Sequence, residues 1–130
     1  MYHFTALVTL LTGLYCLATG IMVARARRRY GIKAPAIVGN PDFERVYRVQ
    51  INALEWLPIF LPALWLFAIY VGDAVAGGLG LVWIIGRVIY MIGYMQAAAR
   101  RSPGFAIQAL SSIALWIGAL GAVVWRIVQG

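Results

Sequence analysis

Four long apolar runs occupy most of this 130-residue chain, and they decide what it can fold into. The first extends from Phe4 to Ala24, the second from about Arg48 to Val71, the third from about Ala74 to Ala98, and the fourth from about Gly104 to Val128. Each meets the length of roughly 20 residues that a helix needs to cross a bilayer. The chain is 63% hydrophobic and only 12% charged, whereas soluble domains average about 25% charged residues. Short chains bury the smallest fraction of their surface, so this one cannot hide so much apolar side chain in a core of its own. Lipid is the natural solvent. The expected fold is all-α, an integral membrane four-helix bundle in which residues 1–130 form a single four-span domain.

Charge orients these spans. The formal net charge is +7, but its distribution argues against a nucleic-acid surface. Five of the eleven basic residues lie between Arg25 and Lys33, directly after an apolar run. Such a cluster is a topology signal and a contact for anionic lipid. Arg100 and Arg101 close the third run. The positive-inside rule therefore places the first and third connections in the cytoplasm and both termini outside, with Arg126 alone opposing. The N-terminus lacks a basic n-region and a clear A-x-A site, so the first run is expected to remain as a span. Cys16 is the only cysteine, which excludes an intrachain disulfide, and it is expected to act as a small buried hydrophobe. No metal is expected.

The connections constrain neighbours. Gly72-Asp73 is nearly all that separates the second and third runs, so those helices should be antiparallel neighbours. The longer connection, Lys33 to Asp42, holds Pro35, Gly39, Asn40 and Pro41. Ser102-Pro103-Gly104 is expected to break the chain before the fourth run. Gly77, Gly78 and Gly80, with Gly118 and Gly121, permit close helix approach, and Gly13 and Gly20 are spaced more loosely. Packing within one chain accounts for them better than a dedicated dimer motif. Pro58 and Pro62 inside the second run predict a kink, with neighbouring helices satisfying the freed carbonyls. Trp65, Trp83 and Trp116 are expected to pack against lipid or helices. His3, Asp73 and Trp125 read as helix ends and interface anchors.

Two polar stripes interrupt the apolar runs. In FERVYRVQINALEWLPIF, Arg45, Arg48, Asn52 and Glu55 follow a 3-4-3 spacing and so share one helix face. In the third run Arg87, Tyr90 and Tyr94 do the same, and Arg101 projects roughly 40° from Arg87 by helical geometry. Hydrocarbon penalises unpartnered ionisable groups by several kcal/mol, so intramembrane charges usually mark function. Together with the basic end of the first run, three helices direct guanidinium groups, a carboxylate, an amide and phenols at one depth. Arg binds carboxylates bidentately and Glu55 can hold an ammonium, so the set suits a small zwitterion with several carboxylates. The plainer alternatives are an Arg48–Glu55 bridge that fixes helix packing, interfacial aromatics at Tyr90 and Tyr94, and a stop-transfer flank at Arg25 to Arg29.

FERVYRVQINALEWLP, RVIYMIGY and the Arg101-Ser-Pro-Gly-Phe105 segment resemble the MAPEG family of membrane proteins in eicosanoid and glutathione metabolism. The likeness is greatest to the branch holding microsomal glutathione transferases and the cysteinyl-leukotriene synthase. It covers nearly the whole chain. The resemblance implies a homotrimer of four-helix subunits with glutathione bound between protomers as co-substrate, and membrane detoxification or peroxidase chemistry. By position, Arg48, Asn52 and Glu55 would hold the peptide, with Gln50 nearby. Arg27 or Arg28, Arg87, Tyr90 and Tyr94 would complete the pocket. Arg101 matches the family arginine that faces the thiol from the adjacent subunit, so Arg101 and Tyr90 are the catalytic candidates. Trp56 stands where the eicosanoid branch often has Tyr; an indole donates a hydrogen bond but cannot accept one. The second substrate would be a lipophilic electrophile or lipid hydroperoxide arriving through the bilayer, at a site facing the cytoplasm. Two other classes compete: a non-catalytic lipid-binding scaffold of the same family, and a small four-helix drug exporter. The exporter fits less well, because the first span carries no carboxylate.

Overall fold

The computed structural model describes residues 1–130. Its helices are α1 (His3–Tyr30), α2 (Pro41–Tyr70), α3 (Asp73–Gln96) and α4 (Ser102–Gln129), with a 3-10 turn at Ala98–Arg101 before α4. All four are long and apolar enough to cross a membrane. α2 and α3 form the centre of the bundle: α1 packs on both from one side and α4 packs on both from the other.

The helix ends depart from the apolar runs for local reasons. α1 continues past Ala24 through the arginines to Tyr30, because Arg is a good helix former and cations suit the last turn. Gly31, at φ 68°, closes it in the left-handed conformation, its N–H donating to the Arg27 carbonyl. α2 starts well before Arg48. Asn40 caps it, its Oδ1 accepting from the N–H groups of Asp42 and Phe43 at 2.9 and 3.0 Å, and Pro41 occupies the first helical position. Ser102-Pro103-Gly104 is not the break expected there. It forms the first turn of α4, where proline loses no helical bond, and the chain turns instead at Ala97 and the 3-10 residues.

Small residues set the packing. In lipid there is little hydrophobic drive between helices, so close van der Waals contact matters more. A Cβ at Gly77 would meet Phe4 at 2.6 Å, and one at Gly80 would meet Val8 at 2.6 Å, so α1 rides on these α3 glycines. Gly118 faces the Phe67 ring of α2. These are intrachain contacts, as expected. Gly13, Gly78 and Gly121 have no atom near them. Where α3 and α4 cross, backbone meets backbone: a Cβ at Gly86, not singled out above, would stand 2.7 Å from the Gln108 nitrogen, and one at Gly104 2.5 Å from the Tyr90 Cα.

The buried face of α1 reads Thr5, Val8, Thr12, Tyr15, Thr19, Val23 and Ala26, a 3-4 repeat. Two of its threonines are satisfied locally: Thr12 Oγ1 donates to the Val8 carbonyl and Thr19 Oγ1 to that of Cys16, each at 2.8 Å. Among the tryptophans, Trp83 is fully buried and stacks on Phe60 with centroids 3.9 Å apart. Trp65 Nε1 donates to Thr9 Oγ1 at 3.0 Å. Asp73 proves to be more than an anchor: its carboxylate accepts from the Phe4 and Thr5 N–H groups at 3.1 and 2.8 Å, capping α1 from the start of α3. α2 runs through both Pro58 and Pro62.

Candidate functional site

The two polar stripes meet at Arg87. This side chain is fully buried, and its Nη1 donates to Asn52 Oδ1 at 2.6 Å while Nη2 reaches the Val49 carbonyl at 3.3 Å. The guanidinium lies over the Tyr90 ring, 4.4 Å from its centroid, and 5.9 Å from the rings of Tyr15 and Trp83. Tyr15 Oη in turn donates to the Arg87 carbonyl at 3.3 Å. Arg87 therefore has aromatic faces and two neutral acceptors for company, and no carboxylate. Its hydrogen bond occupies the Asn52 carbonyl oxygen and turns the Asn52 NH2 away from α3. Arg87 orients the amide.

An aromatic chain carries the cluster from α2 to α4. Trp56 meets Phe105 edge-on at 5.6 Å, Phe105 lies 6.2 Å from Tyr90, and Tyr90 lies 5.5 Å from Tyr94. The Arg101 guanidinium then sits over Tyr94, 5.8 Å from its centroid, with Nη1 donating to the Ala98 carbonyl at 2.7 Å. The projection of Arg101 along a continuous third helix does not hold, because α3 ends at Gln96. The 3-10 turn returns Arg101 to the Tyr94 ring of its own chain all the same. Gly93 makes that turn possible: a Cβ there would run into the Arg100 carbonyl.

Arg48 and Glu55 flank Asn52 on α2, both exposed. No Arg48–Glu55 bridge forms; the chain's single ion pair joins Arg45 to Asp42. That pairing also removes Arg45 from the stripe. Arg48 borders a recess of about 150 Å³ beside Ile37, Val38, Glu44 and Tyr47.

Gln50, Arg27 and Arg28 lie apart from this face. Gln50 Nε2 would be 3.5 Å from a Cβ at Gly20, so it turns toward α1. Arg27 holds the loop before α2, with Nη1 donating to the Ala36 carbonyl at 2.7 Å and the guanidinium over Phe43. Arg28 is exposed. One chain thus gathers Asn52, Trp56, Arg87, Tyr90, Tyr94 and Arg101, displays Arg48 and Glu55 beside them, and leaves Gln50, Arg27 and Arg28 elsewhere.

Sequence reasoning missed Tyr15 and Phe105. The signal for Tyr15 was its place in the Thr5-Thr12-Tyr15-Thr19 repeat, which marks the inward side of α1. Phe105 had no local signal, since its role depends on α4 crossing α3 at Gly104.

Beside the aromatic chain, α2 and α4 enclose an apolar groove open to the outside of the bundle. Its parts, about 330 and 400 Å³, share Ile59 and Trp116. Pro58 and Pro62 line one part, and Trp56 and Ser112 line the other. Trp116, expected to pack against lipid or helices, is about half exposed and borders both.

Known proteins resemble this chain over most of its length. The chain is 52% identical over 124 residues to an uncharacterized protein of Synechocystis, a match covering 95% of this chain and 90% of that one. It is 41% identical to microsomal glutathione S-transferase 2 of Homo sapiens, over 78% of this chain and 69% of the human protein. It is 40% identical to leukotriene C4 synthase of Cavia porcellus, over 86% of this chain and 73% of the synthase. A family profile matches residues 5–121, nearly the full length of the four helices. The chain is an integral membrane protein and belongs to the MAPEG family.

Proposed function

We infer that the protein is a membrane-bound glutathione transferase that acts on lipophilic electrophiles from sites between the subunits of a homotrimer. The observation that carries this reading is the α2 face, where Arg48 and Glu55, of opposite charge and without intrachain partners, flank an Asn52 amide already oriented by Arg87. A tripeptide with two carboxylates, an ammonium and two peptide bonds complements that face. Arg48 takes a carboxylate, Glu55 the ammonium, and the Asn52 NH2 a peptide carbonyl. The relatives named as a glutathione transferase and a leukotriene C4 synthase support it. So does the separation of Gln50, Arg27 and Arg28 from the main cluster, since a site between subunits draws on two faces of each chain.

The chemistry follows from thiol ionisation. A free thiol with pKa of about 8.5 is only a few per cent thiolate at neutral pH, and the thiolate is the nucleophile. A guanidinium at hydrogen-bond distance favours the anion, and each unit of lowering corresponds to about 1.4 kcal/mol. Arg101 fills this role electrostatically, because arginine stays protonated and cannot serve as a base. Tyr90, one turn from Tyr94 on the same face, adds a phenolic donor toward the sulfur. The electrophile lies in the groove of Ile59 and Trp116, with Trp56 at the junction between groove and aromatic chain. Reduction of a lipid hydroperoxide uses the same thiolate. The site faces the cytoplasm, where the basic connections lie.

The test is conjugation of a chlorinated dinitrobenzene with glutathione, in which the sulfur–carbon bond forms and chloride leaves. Arg101→Ala is expected to lower kcat at least tenfold and to shift its pH profile upward. Arg48→Ala is expected to raise KM for glutathione. Unchanged turnover in both variants sinks the mechanism, and no calorimetric binding at millimolar glutathione sinks the function.

A further inference from the structure

We propose that the recess between the end of α1 and the start of α2 binds the phosphate of an anionic phospholipid through Arg25 and Arg29. The recess measures about 240 Å³ and is lined by Met22, Arg25, Ala26, Arg29, Tyr30 and Val46. Arg25 and Arg29 stand one helical turn apart, both exposed, and neither donates a hydrogen bond or pairs with a carboxylate in the chain. Arg29 lies over the Tyr30 ring, 5.4 Å from its centroid, which holds that guanidinium at the rim. Two forked cations over an apolar floor match a phosphate, which arginine binds with paired N–H donors.

The occupant is a lipid because of what lies below the recess. Leu14, Leu17 and Ile21 continue down the same side of α1, and they are 60%, 61% and 46% exposed. An acyl chain has an apolar track there, ending where the arginines begin. Charge selects the headgroup. The chain carries +7 overall, and no acidic residue lines the recess, so the ammonium of a zwitterionic headgroup has no counterpart. A headgroup whose only charge is its phosphate is favoured. Basic recesses between membrane helices at the lipid surface have this general use.

The site is separate from the candidate glutathione face. At 100° per residue Arg25 and Arg27 diverge by roughly 200° around α1, and Arg27 is engaged by the Ala36 carbonyl. Anionic lipid would therefore wedge α1 against Val46 of α2 without touching Arg48, Asn52 or Arg101.

Native mass spectrometry of the full-length protein, titrated with phosphatidylglycerol and phosphatidylcholine of matched acyl chains, tests this. Selective retention of phosphatidylglycerol is expected. With about fivefold in affinity carried by each arginine near the surface, Arg29→Gln alone should cost about fivefold and Arg25→Gln/Arg29→Gln about 25-fold, while Arg126→Gln changes nothing. Melting in pure phosphatidylcholine should match wild type, as should glutathione conjugation, so failure here is distinguishable from failure of the transferase reading. Equal retention of both lipids, or undiminished selectivity in the double variant, overturns the proposal. So does binding of glycerol 3-phosphate as tight as that of the lipid, which would make the recess a soluble-anion site.

Discussion

Replacing Gly104 by alanine should damage both the bundle and the site. A Cβ at this position would stand 2.5 Å from the Tyr90 Cα and 2.7 Å from the Gly86 carbonyl oxygen, and ordinary contact begins at 3.4 Å. All the obstacles are backbone atoms of α3, so no side-chain rotation relieves the clash. The start of α4 must retreat by about 1 Å for its methyl to reach van der Waals distance. Overpacking of this kind costs about 1–3 kcal/mol, and rigid obstacles place Gly104→Ala at the upper end. The retreat also moves Phe105 from between Trp56 and Tyr90, and Arg101 from the Tyr94 ring. Misplacing a reacting group by about 1 Å can cost about a hundredfold in rate. Thermal unfolding in one fixed detergent, followed by tryptophan fluorescence, reads the first effect, and kcat for glutathione conjugation reads the second. Gly121→Ala is the control, since no atom lies within 4 Å of its Cβ. A Gly104→Ala protein that melts with wild type and turns over at the wild-type rate would refute the argument that this crossing positions Arg101.

Arg48→Ala and Glu55→Gln should each raise KM for glutathione about tenfold or more, in line with the loss of a charge-assisted bond of about 1.5–3 kcal/mol. Their melting temperatures should stay unchanged, because neither side chain has an intrachain partner; a melting drop in both would assign them to packing. Gln108 is fully buried with both side-chain polar atoms unpaired, so Gln108→Met, similar in shape, should stabilise the protein by about 1 kcal/mol or more in denaturant titrations. Asp73→Ala strips the cap from the Phe4 and Thr5 N–H groups and should cost about 1–2 kcal/mol, with Asp73→Asn recovering part; equal stability of all three proteins would deny the cap its role.

The four spans were legible because hydropathy over long windows needs no partner to be read. Their ends were less so. Asn40-Pro41 is a readable start signal for α2, yet the apolar run begins later and drew the boundary to Arg48. Ser102-Pro103 reads equally as a breaker and as a helix start, and only the course of Ala97–Arg101 decides between them. At the site, the 3-4-3 spacing put Arg48, Asn52 and Glu55 on one side of α2 but could not tell which members face a partner helix. Arg45 went to Asp42 and Arg87 went inside, because in a helix apolar on every side periodicity does not distinguish inward from outward. The Gly86–Gly104 crossing was beyond local reading altogether, since each glycine is explained by a residue on another helix.

The burial of Arg87 bears on how the chain enters the membrane. Placing an arginine at the centre of a lone helix costs about 2.5–3.5 kcal/mol on insertion scales. Both groups that receive its hydrogen bonds, Asn52 and the Val49 carbonyl, lie on α2. Only Val71-Gly72 separates α2 from α3, so the two helices can cross together as a hairpin that brings the acceptors along with the charge. Translation of α3 alone in a glycosylation-reporter insertion assay should therefore give poor integration, and the α2–α3 pair should integrate well. Equal integration of the two would mean that lipid and water at the bilayer surface satisfy Arg87 without help from α2. Poor integration of α3 alone beside good integration of the pair would mean that the residue orienting the Asn52 amide in the finished protein also couples the biogenesis of its two central helices.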